Sequence, residues 1–252
     1  TTLRRFKTEA AIISSLELPA ILKLIDYGVL PDGRPFLVTE LLRGMSLDEV
    51  LDVAPLPPQR ALSILREIAE ALVEAHEKGI VHRDLKPENI FLQEQGDTTV
   101  VRVLDFGIAK LSATNHTATG MVCGTPTYMS PEQAQGHPAD WRSDIYSLGV
   151  LAYRAMSGIC PFDGEEPLAI LLRHISETPR PLAEAMGWPE LPYEVTWLVH
   201  AMLEKDPDGR PGSVLEVQEH IDHIVTQVQF PPPPSEHPTW RPGEMPREAY
   251  RM

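Results

Sequence analysis

The sequence predicts an α+β fold, mainly helical, with a small β part near its start. Three observations carry this. Apolar residues recur at helical spacing in long stretches, above all 58–78 and 141–157. Two pairs of short apolar runs flank polar turn residues and read as hairpins. Hydrophobic residues make up 42% of the 252, enough for a sizeable core in one large domain or two small ones.

Taken in order, Leu3, Phe6, Ala10, Ile13 and Leu16 predict a helix over 3–16, which Leu18-Pro19 ends. Strands follow at Ile21–Tyr27 and Pro35–Thr39. Pro31-Asp32-Gly33 between them is turn chemistry, since Pro presets φ and Gly allows positive φ. Glu40 to Gly44 is a connector, and Ser46 caps a short helix from Leu47 to Leu51. A long helix runs from Pro58 to Lys78, with Pro57-Pro58 in its first turn and Gly79 at its C-terminal end. Leu62, Leu65, Ile68, Ala69, Leu72 and Ala75 form its apolar stripe. Ile90–Leu92 and Val100–Leu104 are the second pair of strands, joined by a polar turn over Gln93–Thr98. A polar, Thr-rich segment leads to Tyr128. The helix over Trp141–Ser157 is apolar on several faces and therefore buried. Further helices are expected at 166–175, 192–204 and 213–225. Seven prolines between 231 and 246 make the end an extended linker.

The chemistry concentrates in His82-Arg83-Asp84-Leu85-Lys86-Pro87-Glu88-Asn89. Asp84 and Asn89 stand five residues apart around a proline, which places them on a loop. The following hairpin returns the chain to Asp105 near Asn89. Three oxygen-bearing side chains then converge with the cation Lys86. Mg²⁺ prefers hard oxygen ligands and keeps substrate phosphate in its shell, so this set suits a magnesium–phosphate complex.

These residues resemble the catalytic and metal loops of protein kinases, whose signature is His-Arg-Asp-Leu-x-x-x-Asn followed by Asp-Phe-Gly. The chain looks most like eukaryotic-type bacterial serine/threonine protein kinases, over about residues 3–225. The resemblance implies a kinase-like fold with a truncated small β lobe (1–39), a hinge (40–44), a mainly helical large lobe (45–226) and a Pro-rich linker (227–252). It implies ATP and Mg²⁺ as cofactors and transfer of the γ-phosphate to Ser or Thr hydroxyls of protein substrates. Asp84 would orient the hydroxyl proton, Lys86 steady the γ-phosphate, and Asn89 and Asp105 hold Mg²⁺. Glu40 and Leu42 would offer backbone groups to adenine, with Thr39 at the back of that pocket and Phe91 as its floor; plain core packing also accounts for Thr39 and Phe91. Glu9 looks like the helix carboxylate that pairs with the ATP-binding lysine.

Other resemblances concern the frame. Asp144, in Ser143-Asp144-Ile145-Tyr146-Ser147-Leu148-Gly149, would hold the catalytic-loop backbone; a bare helix N-cap is its simpler reading. Gly124 to Glu132 matches the family's substrate-docking segment, with Ser130 where Ala is more usual. Glu132 and Arg210 would form a buried ion pair, and Thr125 would contact the catalytic loop. His82 reads as a packed structural histidine stacked with Phe106, Ile13 and Leu24. Thr114, Thr117 and Thr119 lie where the family carries activating phosphates; Thr117 and Thr119 match best, with Arg83 placed to receive a phosphate.

No Gly-x-Gly-x-x-Gly and no Val-Ala-x-Lys strand precedes Glu9. The chain therefore reads as a kinase fragment, inactive alone. The alternative is a catalytically inactive kinase-like binding module; a small-molecule phosphotransferase is disfavoured by the docking segment. A formal charge of −14 argues against a nucleic-acid partner. Cys123 and Cys160 provide neither a disulfide framework nor metal-ligand spacing. No run of 18 apolar residues is present, so the expected setting is cytoplasmic. A kinase dimer and a membrane tether outside this chain stay open.

Overall fold

The computed structural model describes residues 20–96, 98–106 and 126–234. The expected helix over 3–16, the Thr-rich segment and most of the Pro-rich end lie outside these residues.

Two antiparallel strands come first, β1 (Leu24–Val29) and β2 (Pro35–Thr39), paired with Tyr27 opposite Leu37 and an irregularity between Leu24 and Asp26. Strand β1 begins later than its apolar run suggests. Ile21 is drawn into a parallel bridge with Val103 instead, and the backbone bonds Val103 N to Ala20 O (2.7 Å) and Leu22 N to Val103 O (3.1 Å) fix it there.

A second sheet contains β3 (Gly44–Ser46), β4 (Ile90–Gln95) and β5 (Thr98–Val103), in the order β3-β4-β5 and antiparallel throughout. Strand β3 falls within what reads as a connector ending in a cap. Three residues carry no periodicity of their own, and only the edge of β4 makes them a strand. The β4–β5 turn is also tighter than the polar stretch Gln93–Thr98 implies, because the ladder continues to Gln95 opposite Thr98. Polar residues there report solvent exposure, not the end of pairing.

Helix α1 (Leu47–Val53) opens on a complete capping box. Ser46 Oγ accepts from Glu49 N, and the Glu49 carboxylate accepts from Ser46 N at 2.7 Å. Helix α2 (Pro58–Glu77) starts on its proline and ends before Gly79, whose φ of +73° reverses the chain at little cost. All six residues of the predicted stripe are buried.

Next come a short α3 (Pro131–Ala134), then α4 (Trp141–Ser157), α5 (Pro167–Ser176), a short α6 (Leu182–Ala185), α7 (Tyr193–Met202) and α8 (Val214–Gln227). Helix α4 has the predicted bounds and is the axis of the core. Gly149 lets α7 approach: a Cβ there would meet Met202 Cβ at 2.8 Å. One apolar core joins α1, α2, α4, α7, α8 and the β4–β5 pair. Val228 and Phe230 pack on it beyond the last helix.

Candidate active site

The loop from His82 to Asn89 is anchored by two buried residues. Leu85 is fully buried, and Pro87, also buried, opens one turn of 3₁₀ helix to Asn89. Asp84 and Lys86, flanking the Leu85 anchor, keep side-chain exposures of 25% and 19%. Lys86 Nζ lies 3.8 Å from Asp84 Oδ2. Asn89 is buried and donates through Nδ2 to Asp84 O at 2.8 Å and, more weakly, to Asp84 Oδ2 at 3.4 Å. With its amide nitrogen so used, Asn89 has Oδ1 left as a hard oxygen donor.

Asp105 arrives from β5. Leu104 N donates to Asn89 O at 2.8 Å, so the residue before Asp105 is fastened to Asn89. Asp105 itself is exposed and has φ +49°. Arg83 has φ +64°. Among the described residues these are the two non-glycines with positive φ, and both stand beside the reactive side chains. Such conformations persist where the surroundings over-determine them.

Those surroundings begin with Asp144. Fully buried at the start of α4, it accepts from His82 N and Arg83 N at 2.8 Å each, and from His76 Nε2 at 2.8 Å. Its carboxylate serves two other elements and is no helix cap; Asp140 takes that part. His82 donates from Nε2 to Leu104 O (2.9 Å) and accepts at Nδ1 from Asp84 N (3.3 Å), which fixes the neutral tautomer. Burial pushes its pKa down. Its ring packs at 4.7 Å on Phe106, so it ties the two loops together as a structural group.

The frame widens through Glu132 on α3. Arg210 meets it with two hydrogen bonds of 2.9 Å, and Ser143 Oγ donates to it at 2.6 Å. The guanidinium of Arg210 is wholly buried and Glu132 is 12% exposed. Burial alone would raise the Glu132 carboxyl, but the Arg210 and Ser143 hydrogen bonds outweigh it and bring its pKa down to about 2.

On the other side, Thr39, Asp105 and Phe106 line an open hollow with Ile21, Leu22, Leu24, Leu37 and Val103. Thr39 is exposed there, not packed in the core. Phe91 and Leu42 are half-buried. Glu40 N donates to Lys23 O, and the Glu40 carboxylate accepts from Lys23 N at 3.0 Å. No cluster of three His, Cys, Asp or Glu side chains suited to a metal occurs among the described residues. The hard-oxygen set near the loop is Asp105 with the amide oxygen of Asn89. Glu9, Thr117, Thr119 and Thr125 lie outside the described residues.

Sequence reasoning missed His76, Ser143 and Gln133. Gln133 follows Ser130 by three residues, the spacing of a capping box, which foretells the cap but not what else the side chain touches.

The protein kinase domain model matches residues 1–224. The chain is 45% identical over 221 residues to serine/threonine-protein kinase pkn2 of Myxococcus xanthus, covering 86% of this chain and 26% of that protein. It is 41% identical over 223 residues to serine/threonine-protein kinase PrkC of Bacillus subtilis, covering 87% and 33%. Serine/threonine-protein kinase PknA of Mycobacterium tuberculosis is 40% identical over 242 residues, covering 94% and 54%. The chain thus spans between about a quarter and a half of these relatives' length. No described helix is long and apolar enough to cross a membrane. The chain belongs to the protein kinase domain family.

Proposed function

We propose that this chain is the catalytic domain of a serine/threonine protein kinase, which transfers the γ-phosphate of ATP to Ser or Thr hydroxyls of protein substrates. The observation that carries the reading is the Asp84, Lys86 and Asn89 group, set on a loop whose backbone Asp144 grips from beneath.

Phosphoryl transfer needs positioning and charge neutralisation more than covalent chemistry. Asp84 accepts the proton of the substrate hydroxyl and aims that oxygen. Lys86, less than 4 Å away, presents its ammonium to the transferring phosphate. Asn89 Oδ1 and the exposed Asp105 carboxylate are the hard oxygens that would hold Mg²⁺, and their donor chemistry fits that ion. When bound, the ion neutralises phosphate charge. Glu40 and Leu42 would receive the adenine through backbone groups, with Thr39 behind it and Phe91 below. Phosphates on Thr117 or Thr119, each carrying about −1.5 to −2 charges, would pair with Arg83.

The test is phosphate transfer from γ-labelled ATP by the full-length protein carrying this chain. Label should appear on Ser and Thr of a test protein and on Thr117 or Thr119, and should require Mg²⁺. Asp105→Asn should abolish it. Label on neither residue type, or an undiminished rate in Asp105→Asn, would refute the reading.

A further inference from the structure

Two adjacent residues of the four-residue helix α3 reach in different directions. Glu132 turns to α4 and accepts from Ser143 Oγ at 2.6 Å. Gln133 turns to the catalytic loop, where its Nε2 donates to Arg83 O at 3.0 Å. Since Ser143 is followed on α4 by Asp144, which accepts from Arg83 N at 2.8 Å, the contacts close a ring: Arg83 to Asp144, Ser143 to Glu132, Gln133 back to Arg83. The N–H and the C=O of Arg83 are thus both held by side chains from outside the loop.

We propose that Gln133 is a positioning residue for phosphoryl transfer, aiming Asp84 by fixing the peptide group that precedes it. The inference rests on the kinase reading and names a residue that reading does not use. The peptide between Arg83 and Asp84 is pinned at its oxygen by Gln133 Nε2 and at its nitrogen by His82 Nδ1. Arg83 sits at φ +64°, a conformation an arginine does not keep by itself. Releasing its carbonyl lets that peptide rotate, and the Asp84 carboxylate swings with it. Lys86 and Asn89 are then no longer opposite the same oxygen.

Gln133 also has a local duty. Its Oε1 accepts from Ser130 N (3.0 Å) and Ser130 Oγ (3.2 Å), completing the α3 capping box. The amide divides the two tasks between its two atoms, oxygen for the cap and nitrogen for the loop, and one substitution separates them. Glu is the usual partner in a capping box, so Gln133→Glu keeps the oxygen contacts while setting a carboxylate oxygen against Arg83 O. Gln133→Ala removes both.

In the full-length protein, Gln133→Ala should lower the melting midpoint and Gln133→Glu should restore it. Turnover should not follow. Both variants should lose kcat by roughly ten- to a hundredfold, with KM for ATP unchanged, the range expected for a misplacement of about an ångström. Amide hydrogen exchange over Arg83 to Leu85 should quicken in both. A Gln133→Glu variant with wild-type kcat would overturn the inference, because the cap alone would then account for the residue. Unchanged exchange over Arg83 to Leu85 would overturn it as well, even if the wild-type protein transfers no phosphate. Absent transfer with quickened exchange would instead sink the kinase reading and, with it, the role in transfer, leaving only the hold of Gln133 on the Arg83–Asp84 peptide.

Discussion

Every residue of β1 and β2 keeps some contact with solvent, whereas α4 is buried without a break from Ser143 to Tyr153. The hairpin joins the rest through the Ala20 to Leu22 backbone on Val103, through the Lys23–Glu40 bonds, and through Arg102, 3.9 Å from Glu40. The helical body is joined through side chains wholly removed from water, Asp144 and Arg210 among them. The hollow lined by Thr39 and Asp105 lies between the two regions. A two-stranded hairpin is marginal by itself. A buried carboxylate with three donors cannot shift without stranding a charge. On the proposed kinase reading, the hairpin is the wall expected to give way to a ligand and the helical body the wall expected to stay put.

The largest effect should come from the fixed wall. Asp84→Asn should cut phosphate transfer by about 10²- to 10⁴-fold, the usual worth of a positioned acid–base group, while ATP binding persists. Titration calorimetry beside a transfer assay separates the two. Retained transfer would mean that the body merely supports the site.

Next is the buried pair. Arg210→Ala leaves Glu132 charged in a dry place and should cost about 3–5 kcal/mol of stability. An unchanged melting midpoint would erase the contrast between the regions. The same pair predicts an acid limit. Glu132 is held at about 2 in the folded state against an ordinary value of 4.5. Its stabilisation is thus complete above about 4.5 and is lost as pH falls from there towards 2. That loss should be absent from Arg210→Ala.

A smaller effect distinguishes the regions within one protein. Backbone amides of β1 and β2 should exchange faster than those of α2 and α4, because local opening of the hairpin uncovers little apolar surface. Equal protection would show that the hairpin and the body open together.

The smallest effect is expected at the hairpin tip. Arg34 pairs with Asp32 at 2.7 Å, but the two side chains are 75% and 51% exposed. Exposed pairs contribute little, so Arg34→Ala should leave the melting midpoint unresolved from wild type. A clear shift would mean that the tip bears on more than itself.

Where the sequence could be read, it was read through local physics. The apolar period of 58–78 foretold a one-sided helix, and Leu62 to Ala75 are buried. The bounds of α4 followed from apolar residues on several of its faces. Ser46 foretold its cap. The grouping of Asp84, Lys86 and Asn89 was legible because they sit within six residues, so chain connectivity alone keeps them together. Two strand ends were not legible, β3 because three residues carry no periodicity and the β4–β5 turn because its residues are polar, since pairing there depends on a neighbouring strand's edge.

Residue types and spacing by themselves pointed to an α+β chain, to the helices over 58–78 and 141–157, and to a loop that holds Asp84, Lys86 and Asn89 together. The kinase resemblance pointed to Asp144 and to the Glu132–Arg210 pair, while the contact of Gln133 with the loop, and the geometry of all three, came from the tertiary structure. Asp144 is separated from Arg83 by 61 residues, Gln133 by 50, and Arg210 from Glu132 by 78. No periodicity or turn rule spans such distances. Their contacts exist because α4 is buried and brings its N-terminal carboxylate under the loop, where each unpaired donor and acceptor would be costly.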